Sequence, residues 1–102
     1  LNTRREVCWF AEKMETVLQE NDYKGGWKDC NINWLFRRLV DEVFELAIAL
    51  SKVNQHAWNN PLNTTAKSDV VKEAVDIANF AMMIADLAKE NDSERRGGVG
   101  EK

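Results

Sequence analysis

A chain of 102 residues that is 44% hydrophobic and 30% charged, with a single proline, points to one small all-α domain and away from a disordered or all-β protein. The net charge of −3, with basic residues scattered among acids, excludes the basic stripe that a nucleic-acid backbone requires. No apolar run reaches membrane length, no secretory segment is visible, and Cys8 and Cys30 lack CxxC spacing. The expectation is a cytoplasmic protein with two free thiols and no membrane partner. Because the chain opens on Leu1 and not on Met, a few preceding residues are expected.

Helical periodicity first appears over residues 3 to about 20, where Val7, Phe10, Ala11, Met14, Val17 and Leu18 share a face and Thr3 with Glu6 has capping-box spacing. Residues 21–31, NDYKGGWKDCN, break the period with two adjacent glycines and form a loop around Trp27. A second helix is predicted from about 32 to 53, with Leu35, Leu39, Val43, Leu46 and Leu50 as its seam and Asn31 or Asn33 as its cap. Residues 55–67 read as a connection holding His56, Trp58 and Pro61, with at most one short helical turn. A third helix is predicted from Ser68 or Asp69 to about Lys89, with Val70, Ala74, Ile77, Ala81, Ile84 and Ala88 as its stripe. Residues 1–92 then make a single domain and 93–102 a flexible, charged, glycine-rich tail.

The second helix carries Asp41, Glu42 and Glu45 inside an otherwise apolar run. At about 100° per residue, Glu42 falls about 60° from the Leu39 seam, Glu45 about 120° and Arg38 about 100°, all on one side. Glu73 and Asp76 repeat the arrangement on the third helix, at about 40° and 100° from Ile77. Like-charged pairs on two helices that must pack together need compensation, since a carboxylate in low dielectric costs several kcal/mol unless paired. Arg38, Lys52 and Lys72 supply part of it, and converging carboxylates are also the usual shell of a hard divalent cation. Solvated ExxE faces with ordinary i,i+4 ion pairs are the competing explanation. A di-iron bundle needs Glu-x-x-His pairs, which a chain with His56 as its one histidine lacks.

The segment DEVFEL (41–46) with Glu42-x-x-Glu45, followed by KEAVDIANFAMMIAD (72–86) with Glu73-x-x-Asp76, resembles the MazG-like all-α nucleoside triphosphate pyrophosphohydrolases. The family pattern is EExxE on one helix and ExxD on the next; here Asp41 stands in the first position. The upstream ENDYKGGWKDC (20–30) is similar to the loop of small stand-alone phage and mobile-cassette members, so the resemblance spans roughly residues 10–86. It implies Mg²⁺-dependent hydrolysis of an NTP or dNTP to the monophosphate and pyrophosphate, with Mn²⁺ as a substitute. Glu42, Glu45, Glu73 and Asp76 are the implied metal ligands. Asp41 and Glu45 are candidates for the base that takes the proton from water, and a ligand acid could also serve.

Arg38, Lys52 and Lys72 are candidate phosphate contacts, each also explicable as surface pairing. Asn79 continues the DxxN pattern of that family and binds substrate, or is a solvated polar residue or a hydrogen bond at a helix interface. Trp27 stacks on a base or pins its loop to the core. Met82 and Met83 read as packing residues. Apolar residues left over on the second helix (Phe36, Val40, Phe44, Ala47, Ile48) and the third (Val71, Val75, Ala78, Met82) predict a homo-oligomer that completes a four-helix-type bundle, and the resemblance implies a homodimer or homotetramer. Alternatives are a non-catalytic helical interaction protein, or a relative of the same fold acting on dUTP or phosphoribosyl-ATP.

Overall fold

The computed structural model describes residues 2–55, 57, 59–61 and 63–101, with side chains to Lys89. Three helices and a short 3-10 turn follow one another, with no strand among the described residues: α1 (Arg5–Glu20), the turn Asp22–Lys24, α2 (Ile32–Asn54) and α3 (Asn63–Glu101). The fold is therefore all-α, as the periodicity predicts. No helix among the described residues is long and apolar enough to cross a membrane.

The start of α1 departs from the expected capping box. Arg4 is the N-cap and makes no side-chain cap bond, which puts Thr3 one residue too early and Glu6 at the second helical position, out of register for the reciprocal bonds. Asn21 ends the helix: its backbone N–H reaches Val17 O at 3.2 Å and Leu18 O at 3.1 Å, and its Nδ2 donates to Val17 O at 3.0 Å. Gly25 then takes φ 85°, a left-handed conformation that a side chain would strain. α1 buries no residue fully; Phe10, Met14, Val17 and Leu18 are half-buried, whereas Val7 and Ala11 of the expected face are exposed.

α2 begins where its cap predicts. Asn31 Oδ1 accepts from the backbone N–H of Asn33 at 2.8 Å and of Trp34 at 3.2 Å, satisfying two of the donors a helix start leaves open. Its inward face is rotated from the expected seam. Leu35, Ala49 and Val53 are buried and Leu39, Glu42 and Leu46 half-buried, while Val43 and Leu50 are exposed. The inward centre lies roughly 40–50° round the wheel from Leu39 on the acidic side, which brings Glu42 onto the packed face.

The connection is shorter than predicted, because α3 starts at Asn63 and not at Ser68. Consecutive turns, Asn60 N–H to Ala57 O and Asn63 N–H to Asn60 O at 2.9 Å each, wind the chain into the helix, and Pro61 with its fixed φ is tolerated in that entry. His56 and Trp58 lie outside the described residues. α3 also continues past Lys89 to Glu101; the side chains of the expected tail lie outside the described residues.

α3 is the central element and packs against both α2 and α1. Val75, Asn79 and Leu87 are its buried positions towards its middle and end, while Ala81 and Ala88 of the predicted stripe are exposed. The stripe is misplaced because α3 is apolar around most of its circumference, so tertiary packing chooses its face.

Candidate functional site

Between α2 and α3 the inward rotation of Glu42 brings it to Glu73 and Asp76. One carboxylate oxygen from each lies within 4.8 Å of the others. All three side chains are partly sheltered, with Glu73 15% and Asp76 16% exposed. Burial holds the Glu42 carboxyl above its ordinary range, reinforced by the charges of Asp76 and Glu73 and opposed by Arg38 and Lys72. The cluster carries more negative charge than its neighbours neutralise.

Lys72 is the nearest counter-charge. Its Nζ donates to Asp76 Oδ2 at 3.1 Å and lies 3.6 Å from Glu73 Oε1. The bond to Asp76, followed by the charges around it, raises the lysine pKa, so the ammonium is retained. Arg38 Nη1 donates to Asp41 Oδ2 at 3.2 Å, and the guanidinium sits 5.6 Å from the Phe80 ring centroid, a cation–π geometry.

These groups border a cleft of about 630 Å³ that Glu42, Arg38 and Trp34 enter from α2, Lys72, Asp76, Phe80 and Met83 from α3, and Val17 and Glu20 from α1. Lys24 adds a third cation from the 3-10 turn. A second, mostly apolar cavity of about 240 Å³ adjoins it, walled by Trp27, Trp34, Leu35, Phe80 and Met83 under the Gly25–Gly26 loop. Asn21, Lys24, Trp34, Phe80 and Met83 border both.

The expected site residues thus divide. Glu42, Glu73 and Asp76 come together, and Arg38 and Lys72 flank them. Glu45 and Asp41 are exposed and stand outside the triad; even with the inward face turned towards the acids they lie about 75° and about 115° round the wheel from its centre. Lys52 is exposed in the last turn of α2 and borders neither cavity. Asn79 is 3% exposed and donates through Nδ2 to Met14 O at 3.3 Å, which makes it a bridge between α3 and α1, with its Oδ1 buried and unpartnered.

Trp27 stands in the adjoining cavity, and its Nε1 donates to Asp86 Oδ2 at 2.9 Å. The Lys28 ammonium meets the same oxygen at 2.6 Å. These two bonds hold the Asp86 carboxyl below its ordinary range and pin the loop to α3. Met83 is a cavity wall where sequence pattern suggests packing alone. Sequence reasoning missed Phe80 and Met83 as walls, although they continue the Asp76 face at i+4 and i+7, a spacing that would have found them; Lys24, Glu20 and the Asp86 anchor carry no local signal.

The residues fit a hard divalent cation. Oxygen ligands about 2.1 Å from one Mg²⁺ are at most about 4.2 Å apart, so the three oxygens, all within 4.8 Å of one another, need only small side-chain rotations to share an ion.

No family model matches the chain, nor does any curated protein or solved structure.

Proposed function

We propose that this chain is a cytoplasmic, MazG-like pyrophosphohydrolase that cleaves nucleoside or deoxynucleoside triphosphates to the monophosphate and pyrophosphate. The observation that carries this reading is the meeting of Glu42, Glu73 and Asp76, from two separate helices, at the edge of a cleft lined with cations. Its volume of about 630 Å³ lies within the ordinary range for small-ligand sites.

Glu42, Glu73 and Asp76 would hold Mg²⁺, or Mn²⁺ in its place, with Glu45 the next acid along α2. When bound, the ion supplies charge neutralisation of the triphosphate and a lowered pKa for an attacking water. Lys72, Arg38 and Lys24 bind phosphate oxygens around the acids. The water oxygen bonds to the α-phosphorus, the bond to the bridging oxygen breaks, and pyrophosphate leaves. The water proton passes to a carboxylate, for which Asp41, Glu45 and the cluster acids are the candidates. The aromatic cavity beside the cleft suits the flat face of a base. The fold and chemistry suit control of dNTP pools or removal of unwanted nucleotides, and a homodimer or homotetramer completes the bundle.

The exposed apolar residues of α2 favour a second reading, a non-catalytic helical interaction protein. A relative of the same fold acting on dUTP or phosphoribosyl-ATP is the third. Pyrophosphate release from the eight standard NTPs and dNTPs, dUTP and phosphoribosyl-ATP, with Mg²⁺ and with EDTA, separates them. Metal-dependent release that falls at least about 100-fold in Glu73→Gln, the upper range for perturbing a metal site, supports the hydrolase. Absence of release from every substrate supports the interaction protein.

A further inference from the structure

The loop over the apolar cavity is fastened at both ends. The 3-10 turn Asp22–Lys24 packs against α1, and Asn31 caps α2. Between them residues 27–30 close a turn of their own, with Cys30 N–H donating to Trp27 O at 2.9 Å, which carries the Trp27 indole as a unit. Two side-chain bonds from this unit to α3 converge on one oxygen: Asp86 Oδ2 accepts from Trp27 Nε1 at 2.9 Å and from Lys28 Nζ at 2.6 Å. Trp27 also walls the cavity of about 240 Å³ beneath, together with Trp34, Phe80 and Met83. One carboxylate therefore holds the cavity wall in place.

The two glycines that join the 3-10 turn to this unit differ. Gly25 takes φ 85°, a conformation that calls for glycine. Gly26 has no such φ, and a Cβ there would meet nothing within 4 Å, so the observed arrangement would accept alanine at 26. A glycine that this state does not need supplies backbone freedom for another. Asp86 is also equipped for release, because Lys89 Nζ lies 3.8 Å from its Oδ1 and keeps the carboxylate beside a counter-charge when Trp27 and Lys28 move off. A fixed anchor needs neither feature.

We infer that residues 27–30 are a flap, hinged at Gly25–Gly26 and latched by Asp86, that swings out to admit a flat aromatic ring to the cavity and closes over it. The inference rests on the proposed function only for naming that ring a nucleobase. Closure returns Trp27 to the wall and to the latch together, so the ring is held by the same bonds that its entry breaks.

Fluorine NMR on the full chain labelled with 5-fluorotryptophan tests the flap, with the Trp27 signal assigned from Trp27→Phe. Wild type should show exchange at Trp27 on the microsecond-to-millisecond scale of loop gating. Asp86→Asn and Lys28→Met should each raise the open population about 5-fold, the scale of one lost hydrogen bond. Gly26→Ala should lower the opening rate about 3-fold, the scale of the backbone difference between the two residues. The α,β-imido analogues of the four standard deoxynucleoside triphosphates, added with Mg²⁺, should quench the exchange when they bind. Trp27 exchange missing from both wild type and Asp86→Asn, an opening rate unchanged in Gly26→Ala, or exchange that persists with an analogue bound overturns the flap. Exchange that answers to all three substitutions while no analogue binds supports the flap and removes the hydrolase reading.

Discussion

The Nζ of Lys72 lies 3.1 Å from Oδ2 of Asp76, one turn further along α3, so an ammonium stands beside the acids that would receive a divalent cation. Lys72 is 65% exposed, which leaves it free to swing outward without breaking any packing. It serves as counter-charge to Glu73 and Asp76, and under the proposed function it would contact phosphate once a cation neutralised the cluster.

Lys72→Met should therefore act in opposite directions on two constants. Divalent affinity measured by calorimetry should rise, because a competing cation is gone, while KM for the triphosphate should rise roughly 5-fold, the scale of one exposed ion pair worth ~1 kcal/mol. A fall in metal affinity would place Lys72 in a supporting role only.

Glu42 makes the stability of the metal-free protein depend on pH. Its folded pKa lies above the unfolded value of 4.5, so the folded state binds more protons than the unfolded state in the window above 4.5. Stability accordingly falls as pH rises through that window. In EDTA, Glu42→Gln should have a higher urea midpoint than wild type at pH 7, and the gap should close below pH 4.5. Added Mg²⁺ should raise the wild-type midpoint at pH 7 and leave the variant less affected.

Asp86 has the opposite sign. Its folded pKa is depressed below the ordinary 3.8 by the bonds from Lys28 and Trp27, so its contribution is present above that pH and is lost as pH falls through the depressed value. Asp86→Asn at neutral pH should loosen the 21–31 loop and shift the Trp27 emission, measured in a variant with the other tryptophans replaced by phenylalanine. If the loop anchors a base-binding wall, KM should rise more than kcat falls.

The Asn31 cap is a local test of the fold. Asn31→Ala removes the acceptor for two backbone donors and should cost about 1 kcal/mol, or roughly 4–8 °C in Tm for a domain of this size. Thr3→Ala should have no comparable effect, since Arg4 and not Thr3 occupies the cap of α1.

What the sequence determined by itself is what depends on neighbours a few residues apart. The Asn31 cap, the Gly25 turn, the three helical periods and the pairing of Glu42 with Glu45 and of Glu73 with Asp76 are all local, and all but the exact ends of α1 and α3 were legible. What tertiary structure alone decided is which side of each helix faces inward. Because α2 and α3 are apolar on more than one face, periodicity could not choose between Val43 and Glu42 as the inward residue, and packing between the helices did. That rotation brings Glu42 to Glu73 and Asp76, while Glu45, about 60° further round the helix, stays exposed. The Trp27–Asp86 bond and the Asn79–Met14 bridge join residues far apart in the chain, where no spacing rule applies and only the folded arrangement brings donor and acceptor together.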